Sequence, residues 1–94
     1  MKLVWLPRAR REWQEAIEYI AQDNPMAALT QLDRIERQTD TLMKQPEIGR
    51  PGRVKGTREL VIGRTPFVIV YRVLPRARRI ELLRLLHGSQ QWPP

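Results

Sequence analysis

The sequence contains no cysteine and one histidine, His87. The absence of cysteine excludes a disulfide framework and a zinc site built from thiolates. With one imidazole and no cluster of acids, a catalytic metal site is not expected, and we predict no cofactor. The chain also has no apolar run long enough for a membrane span, and the run at residues 3–6 is too short for a signal peptide. These absences favour a soluble cytosolic protein without a membrane partner.

Acidic residues are scarce relative to basic ones. The 94 residues include 17 Lys and Arg against 10 Asp and Glu, which gives a net charge of +7 and a pI near 11.0. Most of the cations are arginines, whose planar guanidinium suits phosphates and carboxylates. Nucleic acid, a nucleic-acid machine or an acidic protein are therefore the expected partners, and the alternative is a solvated surface without a specific task. The length indicates a single domain, residues 1–94, in which any active site is shallow.

The first half of the sequence predicts one strand and two helices. Residues 3–6 form a short apolar run that ends at Pro7, and apolar residues then recur at helical spacing over residues 7–22. Asn24 is a favourable N-cap and Pro25 suits a first helical position, so a second helix follows until residues 45–46. Because the connection is so short, the two helices are expected to form an antiparallel hairpin.

The second half predicts a loop and three strands. Residues 46–56 are rich in Pro, Gly and cations and form an unusually long loop. Strands are expected at residues 58–62, 67–73 and 80–87, the last of them inside the sheet. The order β-α-α-β-β-β predicts an α+β fold, in which a two-helix hairpin covers one face of an antiparallel sheet. The other face is expected to stay open for a partner.

Two residues near the end of the last strand are candidate site residues. Arg84 lies in an otherwise apolar strand, where an unpaired cation would be unfavourable. It therefore either pairs with an acid, for which Glu81 and Glu59 are the candidates, or lines a functional groove. His87 follows, and its imidazole could serve as an acid, a base or a phosphate donor near neutral pH. A lone histidine is also compatible with a surface or capping role.

The long loop supplies further candidate contact residues. Its cations, with one more from the following turn, could form a phosphate-binding patch, or a solvated loop that only keeps the protein soluble. The aromatic residue Trp92, on the polar tail, could attach that tail to the domain or to a partner. The cations are Arg50, Arg53, Lys55, Arg58 and Arg64.

Three segments of the second half resemble toxins of the RelE/ParE superfamily. They are residues 56–62 (GTRELVI), 67–73 (FVIVYRV) and 82–88 (LLRLLHG), followed by Trp92 and Pro93. Members of this superfamily are the toxin halves of bacterial type II toxin-antitoxin modules, and the resemblance extends over nearly the whole chain. It implies a toxin held in a hetero-oligomer by a cognate acidic antitoxin, whose disordered segment folds onto the toxin.

The superfamily has two functional branches, which the resemblance distinguishes by residue. RelE-like members cut mRNA on the ribosome with strand lysines and arginines and a C-terminal arginine and tyrosine, whereas ParE-like members lack this set and poison DNA gyrase. His87 lies where a YoeB-like nuclease has a catalytic histidine, but a histidine there is also common in ParE-like chains. The terminal tyrosine has no counterpart. The other nuclease positions hold Val68, Glu59, Val61 and Gln90.

Three functional hypotheses follow. The first is a ParE-like toxin that arrests growth by inhibiting gyrase, with Arg84, Trp92 and the loop cations as contacts to target or antitoxin. The second is a ribosome-dependent mRNA endonuclease, with His87 as general acid or base and with Arg58 and Arg84 stabilising the phosphate. The third is a small nucleic-acid-binding module.

Overall fold

Residues 1–93 are described by the structure, a computed structural model. No helix within these residues combines the length and the apolar character needed to cross a bilayer. The elements follow one another as strand, two helices, a short 3-10 helix and four strands. In order they are β1 (Lys2–Trp5), α1 (Pro7–Asp23), α2 (Pro25–Asp40), the 3-10 helix (Thr41–Met43), β2 (Arg50–Pro51), β3 (Arg58–Val61), β4 (Phe67–Leu74) and β5 (Arg79–His87).

The helical hairpin forms where the sequence predicts it. Pro7 and Pro25 are the first residues of their helices, where a missing N–H leaves no hydrogen bond unmade. The Asn24 side chain accepts a hydrogen bond from the Ala27 N–H at 3.1 Å, which confirms its role as N-cap. One residue therefore separates α1 from α2, and the two helices pack against each other.

The sheet has the order β1-β5-β4-β3-β2, so β5 lies inside it as predicted. β3 and β5 run antiparallel to β4, but β1 runs parallel to β5, which makes the sheet mixed rather than fully antiparallel. Without β1, the apolar strand β5 would be the edge of the meander, and β1 covers half of that edge. The sequence also did not predict β2, a two-residue strand within the long loop that pairs with β3.

The core lies between the helices and one face of the sheet. Ile35 of α2 packs there with Ile69, Tyr71 and Leu82 of the sheet, all fully buried. Tyr71 also has a polar function, because its hydroxyl donates to the Pro46 carbonyl at 2.8 Å and accepts from the Gly49 N–H at 2.9 Å. This tyrosine thereby fixes the start of the long loop on the sheet.

The opposite face of the sheet is not fully open, contrary to the sequence prediction. Val70 and Leu86 point away from the helices, yet they are 0% and 2% exposed. The long loop and the C-terminal tail meet over this face, where an Arg53 guanidinium N–H donates to the Trp92 carbonyl at 3.2 Å. We call it the second face of the sheet.

Candidate functional site

Arg84 is held by an acid from the helical layer. Its guanidinium forms two-pronged hydrogen bonds with the Glu12 carboxylate at 2.8–3.1 Å, and the residue is only 9% exposed. Glu12 also accepts a hydrogen bond from the Leu85 backbone N–H at 3.1 Å. β1 pairs with β5 only as far as Leu82. Beyond that residue, the Glu12 carboxylate provides the acceptor for a backbone N–H on the edge of β5 that β1 leaves uncovered.

The partner of Arg84 is therefore neither Glu81 nor Glu59. A local pattern could not identify Glu12, since it lies 72 residues away and forms part of the polar stripe of α1. A shift in the pairing of β4 with β5, between Val70 and Tyr71, accompanies this arrangement. Such bulges change the direction in which a side chain points. This bulge is adjacent to Arg84, which pairs with Val70.

Trp92 joins the loop to the last strand. Its ring centroid lies 4.9 Å from the Arg84 guanidinium carbon, a cation–π distance, while its carbonyl accepts from Arg53. These contacts bring together three of the predicted contact residues, and we call them the Arg53–Trp92–Arg84 cluster. The C-terminal tail is thus attached to the domain through two arginines.

Two buried carboxylates each hold two arginines on the second face. Glu59 accepts from the Arg50 guanidinium at 3.1 Å, and from the backbone and side chain of Arg53 at 3.0 and 3.3 Å. Glu81 accepts from Arg72 at 2.6–2.7 Å and from Arg79 at 3.0 Å. Burial alone would raise the pKa of Glu59, but its hydrogen bonds outweigh burial and the pKa lies below its ordinary value. Hydrogen bonding from Arg72 lowers the pKa of Glu81 in the same sense.

The depressed pKa of Glu59 predicts a pH-dependent stability. A carboxyl whose pKa is lower in the folded state stabilises the fold above its unfolded pKa, and this contribution is lost as the pH falls through the folded pKa. We expect Glu59→Gln to lower the free energy of unfolding by about 1 kcal/mol at pH 7 and to reduce its decline below about pH 5. Urea denaturation from pH 7 to pH 3 measures both. Glu18→Gln, at an exposed position on α1, is the control, and an unchanged pH profile in Glu59→Gln would contradict the assignment.

The remaining loop cations are spread over the molecule. Arg58 donates to the backbone carbonyls of Gly49 and Glu47, at 2.8 and 3.3 Å, so it holds the loop in place. Lys55 is exposed on the loop. Arg64 lies in the β3–β4 turn with a positive φ of 64°, and its carbonyl accepts from Arg34 of α2. Arg64 therefore contacts α2 and is not part of the Arg53–Trp92–Arg84 cluster.

His87 is exposed at the end of β5. Its Nδ1 lies 2.8 Å from the Ser89 hydroxyl, and its backbone N–H donates to the Gln90 side chain at 2.7 Å. Its ring forms a T-shaped pair with the Phe67 ring, with the centroids 6.1 Å apart. The histidine therefore belongs to the turn that begins the tail. Its hydrogen-bonded neighbours are neutral, so they cannot act as the orienting carboxylate of a catalytic dyad.

The three residues considered for phosphate cleavage are far apart. Arg58 pairs with Tyr71 and His87 with Phe67, so four residues of β4, or about 13 Å, separate them along the sheet. Arg84 lies about 10 Å from His87 along β5. It faces the side of Val70, whereas His87 faces the side of Phe67. The fold therefore does not gather these three side chains around one phosphate.

Comparison with known proteins gives concordant results from sequence and structure. Residues 3–92 match the family model described as the ParE toxin of the type II toxin-antitoxin system parDE. The chain is 42% identical over 92 residues to the candidate toxin Y4kP of Sinorhizobium fredii (strain NBRC 101917 / NGR234), covering 98% of this chain and 93% of that protein. It also matches a solved chain of the chromosomal ParDE toxin-antitoxin system of P. aeruginosa. That match has a TM-score of 0.82 and 28% identity, and it covers 93% of this chain and 95% of the other.

Proposed function

The chain belongs to the ParE toxin family of type II toxin-antitoxin systems, and on that basis we propose that it arrests growth by binding and inhibiting DNA gyrase. In this proposal the protein acts in the cytoplasm as an inhibitor without chemistry of its own. Its basic surface provides the contacts, and its activity is blocked while an acidic antitoxin is bound.

The large separation of the candidate catalytic side chains is the observation that favours an inhibitor over a nuclease. General acid–base cleavage of a phosphodiester needs a proton donor or acceptor within hydrogen-bond reach of the reacting atoms, with cations beside it. Here Arg58 is hydrogen-bonded to loop carbonyls and Arg84 is paired with Glu12. His87 lies on the opposite face of the sheet from Arg84. A surface of held arginines favours binding, because it presents charge in a fixed geometry.

The positive charge of the protein as a whole fits an acidic antitoxin. The protein carries 17 cations against 10 acids, and two of those acids, Glu59 and Glu81, are buried beneath arginines. The charge that a partner meets at the protein surface is therefore predominantly positive. Partners of this kind associate faster and bind more tightly at low salt, so we propose a salt-sensitive hetero-oligomer with the antitoxin.

Purified components test the target. The full chain added to gyrase, ATP and relaxed plasmid is expected to inhibit supercoiling, and addition of the antitoxin is expected to restore it. A ribosome-containing translation extract provides the opposing assay, in which messenger RNA is expected to remain uncut. Cut transcripts together with normal supercoiling would overturn the gyrase proposal in favour of the mRNA endonuclease, and His87→Ala would then be the variant to examine. If neither assay responds, gyrase inhibition is excluded as well.

A further inference from the structure

The second face of the sheet carries two units of the same construction. In each unit a buried carboxylate fixes two arginines: Glu59 holds Arg50 and Arg53, and Glu81 holds Arg72 and Arg79. Their guanidinium-bearing side chains remain 45–56% exposed, whereas the side chains of Glu59 and Glu81 are only 1% and 7% exposed. The carboxylates therefore orient cations that point to solvent without exposing negative charge of their own.

The two units lie side by side. Glu59 pairs with Val70 and Glu81 with Arg72, on the strands that flank β4 and two residues apart along it. Strand spacing and rise place the Cα atoms of Glu59 and Glu81 about 12 Å apart, with both side chains on the same face. Lys2, which pairs with Arg79 across the β1–β5 ladder, extends the charge toward the edge of the sheet. We call Lys2 and the four arginines the braced arginine face.

We propose that the braced arginine face binds the phosphate backbone of duplex DNA. Each arginine keeps N–H donors free beyond those used on its carboxylate and, for Arg53, on the Trp92 carbonyl. Guanidinium forks suit phosphate oxygens. Each strand of a duplex presents one phosphate per about 3.4 Å of helix axis. A face that extends across the sheet from β2 to β1 therefore meets several phosphates. This inference goes beyond gyrase inhibition, because it concerns an affinity for DNA that the chain has by itself.

The composition of the surface favours duplex DNA over other polyanions. Single-stranded nucleic acid is bound largely by aromatic side chains that stack on bases, and the one aromatic residue among the strongly exposed large side chains of residues 1–93, Tyr19, lies on α1 in the helical layer. Protein interfaces have an apolar centre, but the braced arginine face consists of Lys and Arg around buried carboxylates. Binding to the phosphate backbone of a duplex requires neither stacking aromatic side chains nor an apolar centre, but only positive charge held at the surface.

Fluorescence anisotropy with a labelled 20-base-pair duplex tests the proposal on the full chain. Arg72→Gln/Arg79→Gln is expected to weaken binding about tenfold at 100 mM salt, and to reduce by about 2 the slope of log affinity against log salt. The control, Arg11→Gln/Arg37→Gln, removes the same charge from exposed positions on the two helices. Equal losses in both double variants would overturn the proposal, because binding would then depend on net charge alone.

Glu81→Gln separates bracing from charge. This variant raises the net charge by one, so a non-specific polyanion interaction would become tighter. We expect binding about threefold weaker, because Arg72 and Arg79 lose the carboxylate that orients them. Tighter binding by a folded Glu81→Gln protein, verified by circular dichroism, would overturn the proposal. If that variant does not fold, Arg72→Lys/Arg79→Lys replaces it, because it retains the charge and the pairing but removes the guanidinium forks, and undiminished binding would be the contrary result.

Competition identifies the source of the negative charge. Polyglutamate and single-stranded RNA of matched charge are added to the labelled complex, and the duplex is expected to be retained at concentrations where an unlabelled duplex displaces it. If polyglutamate displaces the labelled duplex at a concentration no higher than that needed with unlabelled duplex, the face is assigned to an acidic protein. The same result with RNA would assign it to single-stranded nucleic acid. Either result overturns the duplex assignment. The gyrase assay is independent of both, since inhibition of supercoiling can persist in a variant that no longer binds free DNA.

Discussion

Glu12→Ala is expected to lower the free energy of unfolding by about 3 kcal/mol. Arg84 is 9% exposed and has the Glu12 carboxylate as its two-pronged partner, so the substitution leaves a nearly buried cation unpaired. The Leu85 N–H loses its acceptor as well. For a domain of 94 residues the loss corresponds to a fall in Tm of roughly 10 to 20 °C, and thermal and urea denaturation measure it.

A double substitution distinguishes the pair from the packing around it. Glu12→Leu/Arg84→Met removes both charges and keeps similar side-chain volume, and we expect it to recover most of the stability lost in Glu12→Ala. If Glu12→Ala unfolds at the wild-type denaturant concentration, the ion pair contributes little and Arg84 is free to act elsewhere. The comparison also bears on the proposed function, because an effect of Arg84→Ala on growth arrest can be assigned to a lost contact only after the stability of the variant has been measured.

The secondary structure follows from the sequence because its signals are local. Pro7 and Pro25 begin helices, Asn24 caps the second helix, and the β-branched run of β4 forms the central strand. The parallel pairing of β1 with β5 could not be predicted in this way. It depends on which edge of the finished meander needs a partner, and that is a property of the assembled sheet.

The candidate site was less accessible to sequence reasoning. Trp92 was expected to attach the tail to the domain or to a partner, and its contacts with Arg53 and Arg84 place it on the domain. The acids that hold the arginines were not identified, because Glu12 lies on a helix and Glu59 reaches back across a turn. The pairing of Arg72 with Glu81 across the β4–β5 hairpin was the most predictable contact, since it requires only the hairpin register.

Gly49→Ala is expected to lower the free energy of unfolding by about 3 kcal/mol. A Cβ at this position would lie 2.6 Å from the Tyr71 hydroxyl oxygen, 2.7 Å from its ring and 3.0 Å from the Glu59 carbonyl. Tyr71 is fully buried and hydrogen-bonded to Pro46 and Gly49, so the ring cannot move without breaking these bonds. Overpacking accounts for about 2 kcal/mol of the loss and the weakened hydrogen bonds for about 1 kcal/mol.

Gly56→Ala, in the same loop, is the matched control. Apart from the glycine and its two chain neighbours, no atom of residues 1–93 lies within 4 Å of a Cβ there. The φ of +83° leaves only backbone strain, so we expect a loss of about 1 kcal/mol. Displacement at Gly49 also moves Arg50, the next residue, away from Glu59, whereas Gly56 is not adjacent to that pair. Gly49→Ala should therefore weaken binding of duplex DNA as well as stability, under conditions in which both proteins are folded. Equal stability of the two variants would show that Tyr71 does not fix the loop, and the braced arginine face would then have to be held by its carboxylates alone.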